Sequence, residues 1–265
     1  MDARGARIAR NVQRLALLLA AVVLLAALCA GPSSSRRRTV ALLAAFAATA
    51  YWTIDGNVHL PAPTPAGQAD ALVRQLQLRH AEAGRVEAVP MLNHWEAWGL
   101  ASAVELARGW NRQLDVQRNP LFHDGTLTAA SYHSWLQRWS VGYVVLPEAA
   151  VEPSSTAEAA LVRSSPSWPE EVWHDGHWRL FRVVDAQPLA EPPATVEHAD
   201  AARLLLTVRT PGPVLVRILW SPWLAANGPH GACLTRAGNW TLLSAPAPGT
   251  YRIDAPYAVP RGTPC

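Results

Sequence analysis

The stretch TAASYHSWLQRWSVGYVVLP, residues 128–147, decides the fold class. Thr128 can cap a helix, and Tyr132, Trp135, Leu136 and Trp139 recur at helical spacing, which predicts an amphipathic helix over 128–139. Gly142-Tyr143-Val144-Val145-Leu146-Pro147 then reads as a buried strand. A helix that feeds an apolar strand predicts a small α/β layer.

Downstream, residues 171–183 read EVWHDGHWRLFRV. Asp175-Gly176 between two alternating runs predicts a hairpin with a two-residue turn, His174 and His177 facing each other across it as a surface pair. Residues 186–194 contain Pro188, Pro192 and Pro193 and mark a boundary. Beyond it, strand-like runs recur over 203–209, 213–220, 239–245 and 249–253, punctuated by Pro and Gly. That rhythm predicts a β-sandwich-like region packed on the α/β part. Upstream, 85–90 alternates as a strand, and 68–83 places Ala71, Leu72, Leu76 and Leu78 on an amphipathic helix. Residues 149–160 read as a loop with a short helix, and 90–125 as a long irregular stretch. The expected class is α+β. A Pro-rich linker fills 55–67, an α/β extracytoplasmic domain 68–186, and a β-sandwich-like domain 187–265.

The chain is 50% hydrophobic with 12 Trp and 22 Pro, too apolar and aromatic for a disordered protein. It has no Lys. Residues 1–54 carry seven Arg and one Asp, while 55–265 carry sixteen Arg against nineteen acidic residues. The net charge of +3 therefore comes from the N-terminal segment. The globular part is mildly acidic and lacks a basic stripe, which argues against nucleic-acid binding.

Residues 15–31 and 39–54 are uncharged and apolar, and the turn-forming Gly31-Pro32-Ser33-Ser34-Ser35-Arg36-Arg37-Arg38 joins them. The expectation is a transmembrane helical hairpin over 1–54, with Tyr51 and Trp52 at the lipid–water interface. A cleaved signal peptide is the rival reading of the first run. The lipid bilayer is thus the first expected partner. Arg4, Arg7, Arg10 and Arg14 favour a cytoplasmic tail, whereas Arg36–Arg38 favour a cytoplasmic loop. The lack of a basic residue from Trp52 to Arg74 favours the second, which places the globular region outside a cell membrane.

Cys233 and Cys265 are the two cysteines of the globular part, and two readings stay open: a disulfide or two free thiols. Residues 90–125 gather His94, Trp95, Glu96, Trp98, Arg108, Trp110, Arg112, Asp115 and Asn119. Aromatic faces beside carboxylates and amides suit sugar rings, so these nine form the candidate substrate-binding set. The competing reading makes the Trp residues core and the charges loop partners. Glu96 and Asp115 can be paired as glycosidase-like carboxylates, although sequence gives no separation between them. No phosphate loop, dinucleotide fingerprint or nucleophile elbow occurs, so no cofactor and no metal is expected, and the catalytic residues are not identified.

His94-Trp95-Glu96-Ala97-Trp98, Leu106-Ala107-Arg108-Gly109-Trp110-Asn111-Arg112-Gln113-Leu114-Asp115, Asn119-Pro120-Leu121-Phe122 and Val141–Pro147 form an ordered set of motifs. This set resembles the C-terminal extracytoplasmic part of an actinobacterial family of polytopic membrane proteins. That family resembles membrane glycosyltransferases with lipid-linked donors, and its members carry labels such as 6-pyruvoyl-tetrahydropterin-synthase-related membrane domain proteins or transporters. The resemblance implies a role in cell-envelope glycan assembly, with a glycan or polyprenyl-linked sugar and a polytopic membrane protein as partners. The acidic catalytic loop expected early in such proteins is not in this sequence, so the resemblance does not imply catalysis by this chain alone. The alternative functions are a non-catalytic structural or interaction module and a transporter-associated subunit.

Overall fold

The computed structural model describes residues 36–58, 66–109, 112–164, 167–259 and 261–265, together with Val23 and Ala26. The chain divides into two compact units, Met1–Ala62 and Pro63–Cys265. In the first unit, α1 (Arg36–Val58) contains the second apolar run. Its Val40, Leu43 and Tyr51 are exposed, and the Thr49 hydroxyl donates to the Ala45 carbonyl at 2.8 Å. The expected hairpin is not displayed. Its first span, 15–31, lies outside the described residues apart from Val23 and Ala26. Among the described residues no helix is long and apolar enough to cross a membrane. Three Arg at the start of α1, and Thr49, Tyr51, Trp52, Thr53 and Asp55 toward its end, dilute the apolar run between them.

The second unit is α+β. Its first half is a five-stranded mixed sheet of β1 (Arg85–Ala88), β2 (Glu105–Leu106), β3 (Val141–Pro147), β4 (Pro169–His174) and β5 (Trp178–Val183), in the order β2-β1-β3-β5-β4. β1 runs parallel to β2 and β3, and β5 runs antiparallel to β3 and β4. Helices cover both faces, which is why β3 is apolar almost throughout. On one face, Val144, Leu146 and Phe181 meet Tyr132, Trp135 and Leu136 of α5 (Ala129–Arg138) and Ala159 and Val162 of α6 (Thr156–Arg163). On the other, Val86, Val145 and Leu180 meet Leu72 and Leu76 of α2 (Asp70–Leu78) and Leu100 of α3 (Trp95–Leu100). Each of these buried large side chains contributes about 1.5–3 kcal/mol of apolar burial.

Local chemistry sets the boundaries. Thr128 and Ser131 form a capping box, the Thr128 hydroxyl accepting from the Ser131 amide and the Ser131 hydroxyl from the Thr128 amide. The helix expected over 68–83 stops at Leu78, because His80 takes a left-handed conformation (φ 54°) and the chain restarts as a 3-10 turn. The 90–125 stretch is not irregular: it holds α3, β2, α4 (Arg112–Arg118) and a 3-10 turn at Pro120–Phe122. The β4–β5 hairpin forms, but its turn differs. The Asp175 side chain accepts from the His177 and Trp178 amides at 2.7 and 2.8 Å, and neither Asp175 nor Gly176 has positive φ. His174 is therefore opposite Arg179 rather than His177.

The second half comprises two antiparallel sheets. β6 (Ala194–Ala199), β7 (Arg203–Val208), β12 (Gly249–Asp254) and β9 (Ala225–Asn227) form one; β10 (Cys233–Ala237), β11 (Trp240–Ala245) and β8 (Gly212–Leu219) form the other. Leu204, Leu206, Val214, Val216, Leu243 and Tyr251 share one core between them. Arg85 links this half to the mixed sheet: one guanidinium nitrogen donates to the carbonyls of Trp139 and Arg217 at 2.9 and 2.8 Å, and Nε donates to Glu105 at 2.9 Å.

Cys233 and Cys265 are bonded. The bridge holds residues 263–265 against β10, where the Leu234 amide donates to the Thr263 carbonyl at 2.8 Å. Closing a segment with a sequence separation of 32 restricts the unfolded chain by about 3–4 kcal/mol. Cys265→Ser is expected to lower the unfolding free energy of the full chain by that amount in urea titrations, and reductant is expected to reproduce the loss in the native sequence.

Candidate ligand-binding site

The loop before β2 makes one wall of a large open cleft. The Asn93 side chain accepts from the Trp95 amide at 3.2 Å, and His94 enters α3 in a left-handed conformation (φ 57°). The short helix is amphipathic: Glu96 and Leu100 are buried, while Trp98 is 76% exposed. Trp95 and Trp98 meet edge to face with centroids 6.3 Å apart. The cleft has a volume of about 1190 Å³, and both rings, Asn93, His94, Val104 and Leu106 line it. A second cavity of about 370 Å³ is more polar, with Arg85, Asp115, Arg118, Asn119 and Trp139 in its lining. Glu105, Leu106 and Gly109 line both spaces, so β2 and its continuation form a shared wall.

Behind the smaller cavity lies a buried polar network. Arg108 Nε donates to Glu87 Oε1 at 2.8 Å, and Nη2 donates to Glu87 and Glu158, each at 2.5 Å. The Tyr132 hydroxyl donates to the other Glu158 oxygen at 2.7 Å. The guanidinium carbon is 3.6 Å from the Phe122 ring centroid, a cation–π contact in a desolvated setting. Asp115 stands 3.6 Å from Arg108 and 2.7 Å from His123 Nε2. It also accepts from Asn119, whose carbonyl oxygen accepts from Trp135 Nε1 at 2.9 Å.

One guanidinium faces more negative charge than it can neutralise. Burial pushes the Glu87 carboxyl well above the usual carboxylate range, against the attraction of Arg108, with Glu158 adding to the rise. Burial also raises the Tyr132 hydroxyl, as does the charge of Glu158. For Arg108, burial opposes the charged form, but Glu158 and Glu87 outweigh it and the cation is held firmly. Both hydrogen bonds from Arg108 reach one Glu87 oxygen, and Oε2 has no partner among the described residues.

Glu96 is a separate case. It points inward from α3, and its Oε1 is 3.7 Å from His94 Nδ1. Burial raises its pKa to about 7, with the nearby Glu152 charge acting in the same direction.

The structure thus divides the nine candidate residues. His94, Trp95 and Trp98 line the cleft; Asp115 and Asn119 line the polar cavity, with Arg108 at its back. Glu96 is not among the lining residues of either space, whereas Asp115 lines the polar cavity. Trp110 and the Arg112 side chain lie outside the described residues. Sequence reasoning missed Glu87, Glu158, Arg118 and Trp139. An available signal for Glu87 was its place beside Arg85 on one face of an otherwise apolar strand. Among the described residues no group of three or more His, Cys, Asp or Glu is placed to hold a metal ion.

The fold and the paired cavities define an α+β protein with two adjoining cavities that share a wall. A family model described as a domain of unknown function (DUF8823) matches residues 191–265, the sandwich half and not the cleft helix. No curated protein and no solved structure matches the chain.

Glu96 carries a pH signature. Its folded pKa of about 7 lies above the ordinary value of 4.5. Its contribution is therefore full below pH 4.5 and is lost as pH rises through 7, by up to about 3 kcal/mol. Glu96→Gln is expected to flatten the stability profile between those pH values and to raise the melting temperature at pH 8, as read by thermal denaturation across a pH series.

Proposed function

We propose that the chain is a membrane-anchored module whose extracytoplasmic unit binds a neutral glycan or polyprenyl-linked sugar, within a glycosyltransferase-like assembly of the cell envelope. The observation that carries this is the Trp95–Trp98 pair, Trp98 exposed and Trp95 half-buried, on a cleft whose wall is shared with a polar cavity. Sugar rings present apolar C–H faces to aromatic side chains and hydroxyl edges to carboxylates, amides and guanidinium groups. Trp95 and Trp98 supply the first kind of surface, and Asp115, Arg118 and Asn119 the second. The role is binding. The carboxylates at and behind the cavity, Glu105, Asp115, Glu87 and Glu158, are already paired with Arg85, His123 and Arg108, and no step of bond cleavage is assigned to them.

Membrane attachment rests on the uncharged 15–31 run and on the exposed apolar residues of α1, Val40, Leu43 and Phe46. The Cys233–Cys265 bond supports an oxidising, extracytoplasmic location for the second unit. A second reading, an interaction module without its own ligand, has one observation in its favour: Trp98 and Leu92 are exposed close together in sequence, as at a partner interface.

Trp98→Ala is expected to weaken binding of neutral disaccharides by about tenfold, roughly 1.4 kcal/mol, in saturation-transfer measurements on the full chain in nanodiscs. Its melting temperature should stay unchanged, because the ring is 76% exposed. No sugar binding, with crosslinks from position 98 to a polytopic membrane protein, would favour the interaction module. For the topology, protease added to intact spheroplasts is expected to digest the second unit; complete protection would place it in the cytoplasm.

A further inference from the structure

Far along the sequence from the cleft helix, the sandwich displays a second aromatic group. Trp223 is half-buried, and its ring lies 5.8 Å from that of Tyr257 at a tilt of 41°. Tyr257 is 74% exposed and Val259 is 89% exposed. The Arg261 guanidinium lies over the Trp223 ring, 4.7 Å from its centroid. Among the described residues Arg261 forms no ion pair, whereas Arg252 is paired with Asp254 at 2.9 Å.

The backbone that follows Arg261 is fixed against the strand region after Trp223. Tyr257 has φ 52°, a left-handed conformation that costs an ordinary side chain free energy. Gly262 has φ 54°, and a Cβ there would stand 2.2 Å from the Leu224 carbonyl oxygen, so no other residue fits. The Thr263 amide donates to that same carbonyl at 3.1 Å, and the Thr263 hydroxyl accepts from the Ala226 amide at 2.7 Å. The disulfide follows two residues later. An exposed Tyr and Val thus precede a braced C-terminal segment, beside a cation without a carboxylate partner among the described residues.

We propose that Trp223, Tyr257, Val259 and Arg261 dock the second unit onto a lipid bilayer. Trp and Tyr favour the headgroup level, where a ring is half in hydrocarbon and half in water. Val259 enters the acyl boundary, and the Arg261 guanidinium pairs with a lipid phosphate. A sugar is the poorer occupant, because the Arg261 guanidinium already covers a face of the Trp223 ring on which a sugar would stack. This inference rests on the membrane attachment proposed above, and the patch is distinct from the glycan cleft in residues and chemistry.

The test uses the full chain in nanodiscs of phosphatidylcholine, with and without phosphatidylglycerol, and with lipids brominated near the headgroup. Subtracting the emission of Trp223→Phe from that of the native protein isolates Trp223. The expected result is at least twofold quenching of this difference signal by the shallow brominated lipid, little quenching by aqueous acrylamide, and stronger lipid quenching with phosphatidylglycerol. Val259→Asp, at a position too exposed to matter for folding, should reverse the first two; circular dichroism verifies that both variants fold. Acrylamide quenching without lipid quenching in incorporated protein overturns the docking while leaving membrane attachment intact. Shielding of Trp223 by a neutral disaccharide instead of lipid overturns it in favour of a sugar site. A chain that stays in the aqueous fraction overturns both readings.

Discussion

Arg108 is enclosed by groups from four separate places in the sequence: Glu87 on β1, Asp115 on α4, Phe122 in the following turn and Glu158 on α6. A lone buried guanidinium would cost several kcal/mol, and so would either fully buried carboxylate without it. Each is tolerable only while the others are in place. The network therefore fixes the register of β1 against the crossover that follows it. It also fixes the position of α6 through the Tyr132 bond to Glu158. The wall of both cavities begins at β2, three residues before Arg108, so the position of that wall is inherited from this buried cluster.

A surplus of acid around a single base is a specific arrangement. Replacing such a cluster with well-packed apolar residues often leaves stability unchanged or improves it. Its retention here is better explained by geometry. Apolar side chains slide past one another with little penalty, whereas Arg108 must meet Glu87, Glu158 and the Phe122 face in one arrangement. Arg85 plays a related part at the other end of β1, where it satisfies carbonyls at Trp139 and Arg217 and so joins the mixed sheet to the sandwich.

Much of the architecture was legible because its determinants are local. The helix at Ala129–Arg138 is announced by its cap and its apolar spacing, and β3 by its run of Val and Leu. The hairpin at β4 and β5 was legible, but its turn was not. The Asp175 carboxylate captures two amides and removes the need for positive φ. β6, β9 and β10 escaped notice because ATVEHA, AAN and CLTRA carry weak patterns and take their strand character from partners distant in sequence. The site shows the same division. A dense polar and aromatic stretch could be seen at 90–125, yet the partition of its residues between cleft, cavity and buried cluster depends on Glu87 and Glu158. Glu158 sits in an Ala-rich helix, where nothing nearby distinguishes it from a surface residue.

β2 is only two residues long, and its flanks face two different spaces. A partition so thin cannot be displaced toward one compartment without altering the other. Leu106 adjoins Glu105, whose carboxylate accepts from the Arg85 tether, so the wall and the tether are parts of one connected structure. The two compartments thus have one boundary in common, and a change in the position of β2 would alter the lining of both at once.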